Sequence, residues 1–171
     1  MTRINAAIPP VRLSDQHALA EYREIIRVFW LYRKNLPKIE DDKASFIKKI
    51  PRKFTLGSGH VLFFIDKLQF IETRFNGLKD NLSERGFKPA ITLDLSEIRN
   101  TNPDFWKNYI PPDKECENLL KQRITERILN QKNTVKYYQT VMEKEEYLNR
   151  ILNGKMRSLL PSKKNERIAK P

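Results

Sequence analysis

The chain has 171 residues, enough for one domain with a hydrophobic core, and it contains only one cysteine, Cys116, which excludes an internal disulfide. Its 33 Lys and Arg residues against 21 Asp and Glu give a formal net charge of +12, which indicates a polyanionic partner, most often nucleic acid. The longest apolar run, residues 61–65, is far too short to span a membrane, and the chain has no Cys-His cluster for zinc. We therefore expect an intracellular protein, in the cytoplasm or nucleus of its cell, that neither enters a membrane nor is secreted.

The first predicted helix follows an extended arm that contains Pro9 and Pro10. Ser14 is a suitable N-cap residue, and Asp15 in the first turn suits the positive end of the helix dipole. Apolar spacing carries this helix to about Leu31. Residues 35–37, Asn-Leu-Pro, are then expected to end it.

The predicted first helix has one polar face. Helical periodicity places five of its side chains in a sector about 120° wide: Gln16, His17, Arg23, Glu24 and Arg27. The opposite face carries Leu19, Tyr22, Ile25, Ile26 and Phe29 and is expected to pack into a core. One carboxylate among two guanidinium groups, an amide and an imidazole indicates a functional site. A surface ion-pair ladder is the alternative, because Glu24 lies three residues before Arg27.

The middle of the chain contains a second long predicted helix. Residues 37–57 are Lys-rich with little periodicity and are expected to form a loop with one short helical turn. From Ser58 or Gly59 to the C-cap residue Gly86, apolar residues recur every three or four positions. Residues 87–112 are predicted to be irregular, with short turns near 95–98 and 105–109.

A third helix is predicted over residues 113–130, with Lys121, Arg123 and Arg127 on its outer face. Its inner face carries Cys116, Leu120, Ile124 and Ile128. A further helical pattern covers 140–153, and the last ten residues of the basic tail are expected to be disordered. Because no strand-like alternation of useful length appears, we predict an all-α fold: a compact domain of three main helices with irregular loops and an additional C-terminal helix.

Ten short blocks of the sequence carry a family resemblance when taken in order. They are Met-Thr-Arg-Ile-Asn at 1–5, Asp-Gln-His at 15–17, Ala-Glu-Tyr-Arg-Glu at 20–24, Arg-Val-Phe at 27–29, Leu-Gly-Ser-Gly-His-Val at 56–61, Phe-Phe at 63–64, Asp-Lys-Leu at 66–68, Arg-Gly-Phe at 85–87, Tyr-Ile-Pro at 109–111 and Lys-Tyr-Tyr at 136–138. The chain resembles the pyrimidine-dimer DNA glycosylases of phages and algal viruses, the endonuclease V enzymes of the dimer-specific type. The resemblance covers residues 2 to about 138.

The resemblance implies an enzyme that acts on damaged duplex DNA. Members of the family are three-helix proteins that cut the glycosidic bond of the 5′ base in a cyclobutane dimer and then break the strand as lyases. It implies no metal and no cofactor. We therefore expect double-stranded DNA containing pyrimidine dimers or abasic sites as the partner, and we expect a monomer.

The resemblance also assigns two catalytic residues. An imine-forming enzyme needs an amine that is unprotonated at neutral pH, and an α-amino group, with a pKa of about 7.7 to 8.0, meets that need far better than lysine. Thr2 is small enough for Met1 to be removed, and the match at 1–5 makes the Thr2 amine the nucleophile. Glu24 matches the family's essential carboxylate, which stabilises positive charge on the sugar and handles protons.

The remaining assignments concern DNA binding. Arg127 stands where the family has a lysine, and Arg123 matches a family arginine. The residues expected to contact DNA are Arg3, Gln16, His17, Arg23, Arg27, Arg123, Arg127, Lys136, Tyr137 and Tyr138.

The sequence departs from the family pattern in two places. Thr134 and Val135 stand where the family typically has aromatic residues, and about thirty residues follow the usual end. We therefore divide the chain into a glycosylase and lyase domain at 2–138 and a helical extension with a basic tail at 139–171. Two alternatives remain at this point: an enzyme of the same fold for another lesion, such as a ring-opened purine, and a non-catalytic basic DNA-binding protein.

Overall fold

The computed structural model describes residues 4–111, 114–132 and 134–154. It is 61% helix with one small two-stranded sheet, which confirms the predicted all-α class. No helix in these ranges has the length and apolar character needed to cross a membrane. The disorder predicted for the last ten residues falls outside the described part of the chain.

The helices and strands follow one another in this order: α1 Asp15–Glu24, α2 Arg27–Asp41, α3 Lys43–Lys48, α4 His60–Phe63, α5 Leu68–Glu84, α6 Ser96–Thr101, α7 Lys114–Asn130, β1 Val135–Tyr137, β2 Thr140–Met142 and α8 Lys144–Glu146. Helix α8 continues directly as a π-helix, Tyr147–Leu152. Short 3₁₀ turns lie at Pro10–Arg12 and Pro103–Phe105, the second slightly before the turn predicted near 105–109.

The predicted first helix is two helices in the structure. Ser14 is its N-cap as predicted, and the Ser14 hydroxyl accepts the His17 amide N–H. The α-helical hydrogen-bond pattern is interrupted after Glu24, where the amide of Val28 donates to the Ile25 carbonyl three residues earlier. The predicted end before Pro37 is wrong, because α2 continues to Asp41 with the exposed proline inside it. Burial of Ile39 in the core favours continuing the helix past a residue that costs it one hydrogen bond.

Residues 37–57 are more helical than predicted. Asp42 ends α2 and starts α3, since its carboxylate accepts the amide N–H of Ser45. The buried ring of Phe46 holds α3 against the core. The predicted loop is therefore limited to residues 49–59.

The second long helix is also interrupted. Helix α4 ends at Phe63, and α5 begins at Leu68 after a stretch in which Phe64 and Ile65 are completely buried. The predicted C-cap at Gly86 is confirmed. Gly86 has a φ of +82°, its amide donates to Ser83, and the next amide donates from Phe87 to Leu82, which is a Schellman motif.

A β-hairpin replaces the start of the last predicted helix. Strands β1 and β2 pair antiparallel, with Val135 opposite Met142 and Tyr137 opposite Thr140. Tyr138 and Gln139 form the two-residue turn, with φ of +49° and +61°. Neither is a favoured turn residue, so local sequence did not predict this hairpin.

One core joins both ends of the described chain. The predicted inner face of α7 is confirmed, since all four of its residues are buried. Ile4 and Ile8 of the N-terminal arm are completely buried in the same cluster. The π-helix adds four buried side chains to it: Tyr147, Leu148, Ile151 and Leu152.

Candidate active site

The N-terminal arm is held inside the protein by two buried hydrogen bonds. The amide N–H of Ile4 donates to Nε2 of His60 at 3.0 Å. The side-chain amide of Asn5 donates to Oε2 of Glu21 on α1 at 2.7 Å. Thr2 and Arg3, two of the predicted site residues, lie outside the described residues. The covalent chain nevertheless limits the distance between the Cα atoms of Thr2 and Ile4 to about 7 Å.

A buried ion pair supports this arm. Arg74 of α5 donates from Nε to Oε1 of Glu21 at 2.8 Å and from Nη2 to Oε2 at 3.1 Å. Its Nη1 donates to the carbonyl of Ile8 in the arm at 2.7 Å. The Glu21 carboxylate therefore accepts three N–H groups, and its charge is compensated where it is buried.

A second buried ion pair joins the arm to the hairpin. Arg85 donates to Oδ1 of Asp15 at 2.8 Å and to the carbonyls of Leu13 and Pro10. The same carboxylate accepts the amides of Tyr138 and Gln139 in the hairpin turn. Asp15 therefore fixes the turn, in addition to any interaction with the helix dipole.

The polar face of α1 borders a cleft of about 430 Å³. Gln16, His17 and Ala20 line one side of this cleft, and Arg127 of α7 and Gln131, the residue after α7, line the other. The structure thus brings together three of the predicted DNA-binding residues. A larger neighbouring cleft of about 810 Å³ is bordered by Leu19, Phe87, Lys132 and Lys136, among others.

The other predicted residues on α1 and α2 face outward. Arg23 and Arg27 are exposed, and Glu24 between them is half-buried. Arg123 lies half-buried on α7, one turn before Arg127, and its charge contributes to a lowered pKa of His60. Their roles in catalysis and DNA binding stay predictions.

The cluster at 136–138 belongs to the hairpin. Lys136 is exposed, and its amide N–H donates to Oε1 of Gln16 at 3.4 Å. The ring of Tyr137 is buried, its hydroxyl donates to the carbonyl of Val11, and burial raises the pKa of Tyr137 to about 12. The half-buried Tyr138 accepts the side-chain amide of Asn81 at its hydroxyl. A direct DNA contact by either ring stays a prediction, and the observed contacts are internal.

Sequence reasoning missed the buried polar residues that hold the arm: Asp15 as an ion-pair partner, Glu21, His60, Arg74 and Arg85. The signal for two of them was present. Arg74 lies within the apolar stripe of α5, and Glu21 lies on the buried face of α1 beside Tyr22. An ionisable residue at a core position of a helix generally has a buried partner.

The charge, the helical fold and the cleft together indicate a class of protein. A net charge of +12 and a cleft between two helices that both carry arginines are typical of nucleic-acid-binding proteins. The family model for pyrimidine dimer DNA glycosylase matches residues 1–95 of the chain. Because the match covers more than half of the 171 residues, the chain belongs to the pyrimidine dimer DNA glycosylase family, a family of DNA repair enzymes whose substrate is DNA.

The matched region contains Thr2, Arg3 and the whole polar face of α1, including Glu24. The predicted DNA-binding residues of α7 and the hairpin lie beyond it.

Proposed function

We propose that the enzyme cleaves the 5′ N-glycosidic bond of a cyclobutane pyrimidine dimer through an imine and then nicks the strand. The Thr2 amine attacks the sugar C1′ and the glycosidic bond breaks. The 5′ base takes up a proton and stays joined to the 3′ base through the cyclobutane ring. The resulting imine is an electron sink, so removal of a C2′ proton expels the 3′ phosphate by β-elimination. Water finally hydrolyses the imine and restores the free amine, so no metal or cofactor enters the proposed reaction.

One observation carries this proposal: the hydrogen bond between Asn5 and Glu21. Thr2 is three residues before Asn5, a distance of at most about 10 Å along the chain. Glu24 is three residues after Glu21 in α1, and residues at this spacing are neighbours on a helix surface. A chain anchored at Asn5 can therefore bring its terminal amine to the part of α1 that carries Glu24.

The amine and the carboxylate have complementary roles in this reaction. An α-amino group has a pKa of about 7.7 to 8.0, so a useful fraction is nucleophilic at neutral pH. Glu24 is half-buried, which strengthens its interaction with charge developing on the sugar. It is also the proposed base for proton transfers during imine formation and elimination.

DNA binding is assigned to the surface around these groups. Gln16, His17 and Arg127 border one cleft, and Arg23 and Arg27 are exposed next to Glu24. Arginines at such positions suit phosphate groups, because a guanidinium donates two parallel hydrogen bonds. Arg3, Arg123 and Lys136 complete the proposed basic surface, and we propose that it acts as a monomer.

Covalent trapping tests the proposal directly. The protein is incubated with ultraviolet-irradiated and abasic-site duplexes in the presence of borohydride, which reduces an imine to a stable adduct. We expect an adduct with both duplexes, located at the Thr2 amine by peptide mapping. Acetylation or extension of the N-terminus should abolish it, and an adduct mapped to a lysine would contradict the assignment.

The same experiment separates the alternative functions. Thr134 and Val135 stand where the family typically has aromatic residues, and Thr134 borders the larger cleft. These two positions therefore bear on which lesion the enzyme prefers. A duplex containing a ring-opened purine is therefore included. Faster adduct formation with the ring-opened purine duplex than with the irradiated duplex would indicate an enzyme for that lesion. Binding to DNA without any adduct would indicate a non-catalytic DNA-binding protein.

A further inference from the structure

His60 is buried between the N-terminal arm and the loop that precedes α4. Its Nδ1 lies 2.6 Å from the carbonyl oxygen of Thr55, and its Nε2 lies 3.0 Å from the amide nitrogen of Ile4. A carbonyl only accepts and an amide N–H only donates. Nδ1 therefore carries the proton and Nε2 accepts, which defines one neutral tautomer.

The surroundings keep the imidazole neutral and in place. Burial lowers the pKa of His60, the nearby charge of Arg123 lowers it further, and the hydrogen bond to Thr55 and the charge of Glu21 act in the opposite direction. The rings of Phe54 and Phe64 pack edge-on against the imidazole, with centroids 5.4 and 5.5 Å away. Because the two rings and the hydrogen bond to Thr55 hold the imidazole in place, the Ile4 amide that donates to it is also held in a fixed position.

The bound amide lies close to the proposed nucleophile. Ile4 is completely buried, and its N–H needs an acceptor, because a buried unsatisfied backbone donor costs about 1–3 kcal/mol. Only two residues separate this amide from the amine of Thr2. The position of the Ile4 backbone therefore limits where the covalent chain can place the reacting nitrogen.

We propose that His60 is a positioning residue for the reaction: its neutral Nε2 fixes the Ile4 amide and thereby sets the position of the Thr2 amine. His60 contacts neither substrate nor the reacting atoms in this proposal. The inference rests on the proposed function of the Thr2 amine. It extends the site by a residue of α4 that acts only through the arm.

Two substitutions separate the two hydrogen bonds of His60. His60→Gln places an acceptor near the position of Nε2 and retains the bond to Ile4. His60→Asn retains only a donor near the position of Nδ1, towards Thr55. In single-turnover borohydride trapping at saturating protein, we expect His60→Asn to be slower by about 10- to 100-fold, because small misplacement of reacting groups has effects of this size. We expect His60→Gln to stay close to wild type and both variants to bind damaged duplex normally.

A matched control accounts for lost stability. Tyr32→Phe also removes one hydrogen bond of a buried side chain, the one that the Tyr32 hydroxyl accepts from Asn102. Its trapping rate should equal that of wild type at the same fraction folded. A rate loss shared by Tyr32→Phe and His60→Asn would show a general structural effect and overturn the inference.

The pH profile provides a second readout that does not require His60→Asn to fold. Protonation of His60 removes its acceptor, so the wild-type trapping rate should come to depend on two protons as the pH falls below 6.5, one on the amine and one on His60. The trapping rate of His60→Gln should depend on one proton only, the proton on the amine. Among the described residues, the charged groups that act on His60 are Arg123 and Glu21. Glu21→Gln is the control for the second and should retain the two-proton limb.

The outcomes distinguish the two proposals. An adduct that forms equally fast in wild type and folded His60→Asn, or a one-proton limb in wild type, overturns the role of His60 and leaves the proposed function intact. Failure of the wild-type protein to form any adduct overturns the proposed function, and the positioning role with it.

Discussion

At the residue scale, two glutamates on one helix have opposite environments. Glu21 is buried, and its two oxygens accept three N–H groups from Arg74 and Asn5. Glu24, three residues later, lies half-buried on the polar face. The first carboxylate is committed to structure, whereas the second faces the surface on which DNA is proposed to bind. The two roles predict different consequences of mutation.

Glu24→Gln keeps the shape of the side chain and removes its charge. We expect a loss of glycosylase turnover of about 100-fold or more, because electrostatic groups of this kind contribute about 3 kcal/mol to a transition state. Binding to damaged DNA should persist or tighten, since a negative charge near phosphates is removed. The control is Glu40→Gln, an exposed glutamate on α2. Near-normal turnover of Glu24→Gln would contradict a catalytic role and favour the alternative, in which Glu24 only forms a surface ion pair with Arg27.

Arg74→Met should be strongly destabilising, because it leaves the buried Glu21 charge without its main partner. The expected loss is about 3–5 kcal/mol in the free energy of unfolding, measured by urea titration. Arg33→Met, at an exposed pair with Glu97, is the comparison and should cost less than about 1 kcal/mol. Equal losses at the two sites would contradict the buried pair's structural role.

Stability should also depend on pH through His60. Its folded-state pKa lies below the ordinary value of 6.5, so the unfolded chain binds a proton more readily. The contribution of His60 to the free energy of unfolding is therefore complete above pH 6.5 and is lost as the pH falls through the lower, folded-state pKa. Urea titrations across this range should show a steeper acid decline in wild type than in His60→Gln, and parallel curves would contradict the assignment.

At the element scale, the end of α5 connects the helix to the hairpin. Gly86 adopts a φ of +82°, which only glycine adopts without strain, and a Cβ there would lie 2.7 Å from Nε2 of Gln139. That side chain of Gln139 also donates to the carbonyl of Arg85. The Schellman motif therefore ends α5 and leaves space for the turn of the hairpin.

Two glycine substitutions test this end of the helix. Gly86→Ala should lower the free energy of unfolding by about 1–2 kcal/mol, because alanine in the left-handed region is strained. Gly77→Ala, within α5, should raise it by about 0.5–1 kcal/mol, since its new Cβ meets Pro10 only at an ordinary 3.9 Å. Thermal unfolding of both variants gives the comparison. A neutral Gly86→Ala would show that the turn adjusts without cost.

At the scale of the whole molecule, the C-terminal segment packs on the same core as the N-terminal arm. The hydroxyl of the buried Tyr147 donates to the carbonyl of Arg12, and Leu152 is also completely buried. The boundary predicted after residue 138 would divide the hairpin at its turn. We propose that the folding unit extends to about residue 154, with residues 155–171 as the tail.

Two truncations test this proposal. Ending the chain after Tyr138 should abolish cooperative unfolding, because it removes four buried side chains of the π-helix. Ending it after Gly154 should leave both folding and lesion cleavage unchanged. A stable, active chain of residues 2–138 would restore the boundary that the sequence predicts.

The chain that ends after Gly154 also tests how the tail contributes to DNA binding. Residues 155–171 contain six Lys and Arg residues and one Glu, a net charge of +5. Affinity for undamaged duplex should fall linearly with salt on a log-log plot, with a slope of about 0.9 for each phosphate contact. Removing the tail should make the slope shallower, and an unchanged slope would show that the tail does not touch DNA.

The sequence alone determined the features that depend on local pattern. Helical periodicity located α1, the apolar stripe of α5 and the inner face of α7, while Ser14 and Gly86 marked helix ends, because these signals act within a few residues of each other. The ordered motifs indicated the family that the comparison establishes.

The tertiary structure decided everything that depends on distant partners. The hairpin turn is held by Asp15, more than a hundred residues away, and the arm by His60, Glu21 and Arg74. Burial of Ile39 carried α2 past Pro37 against the local signal. These choices depend on long-range hydrogen bonds and burial, whose energies exceed local propensities and are fixed only when the folded chain brings the partners together.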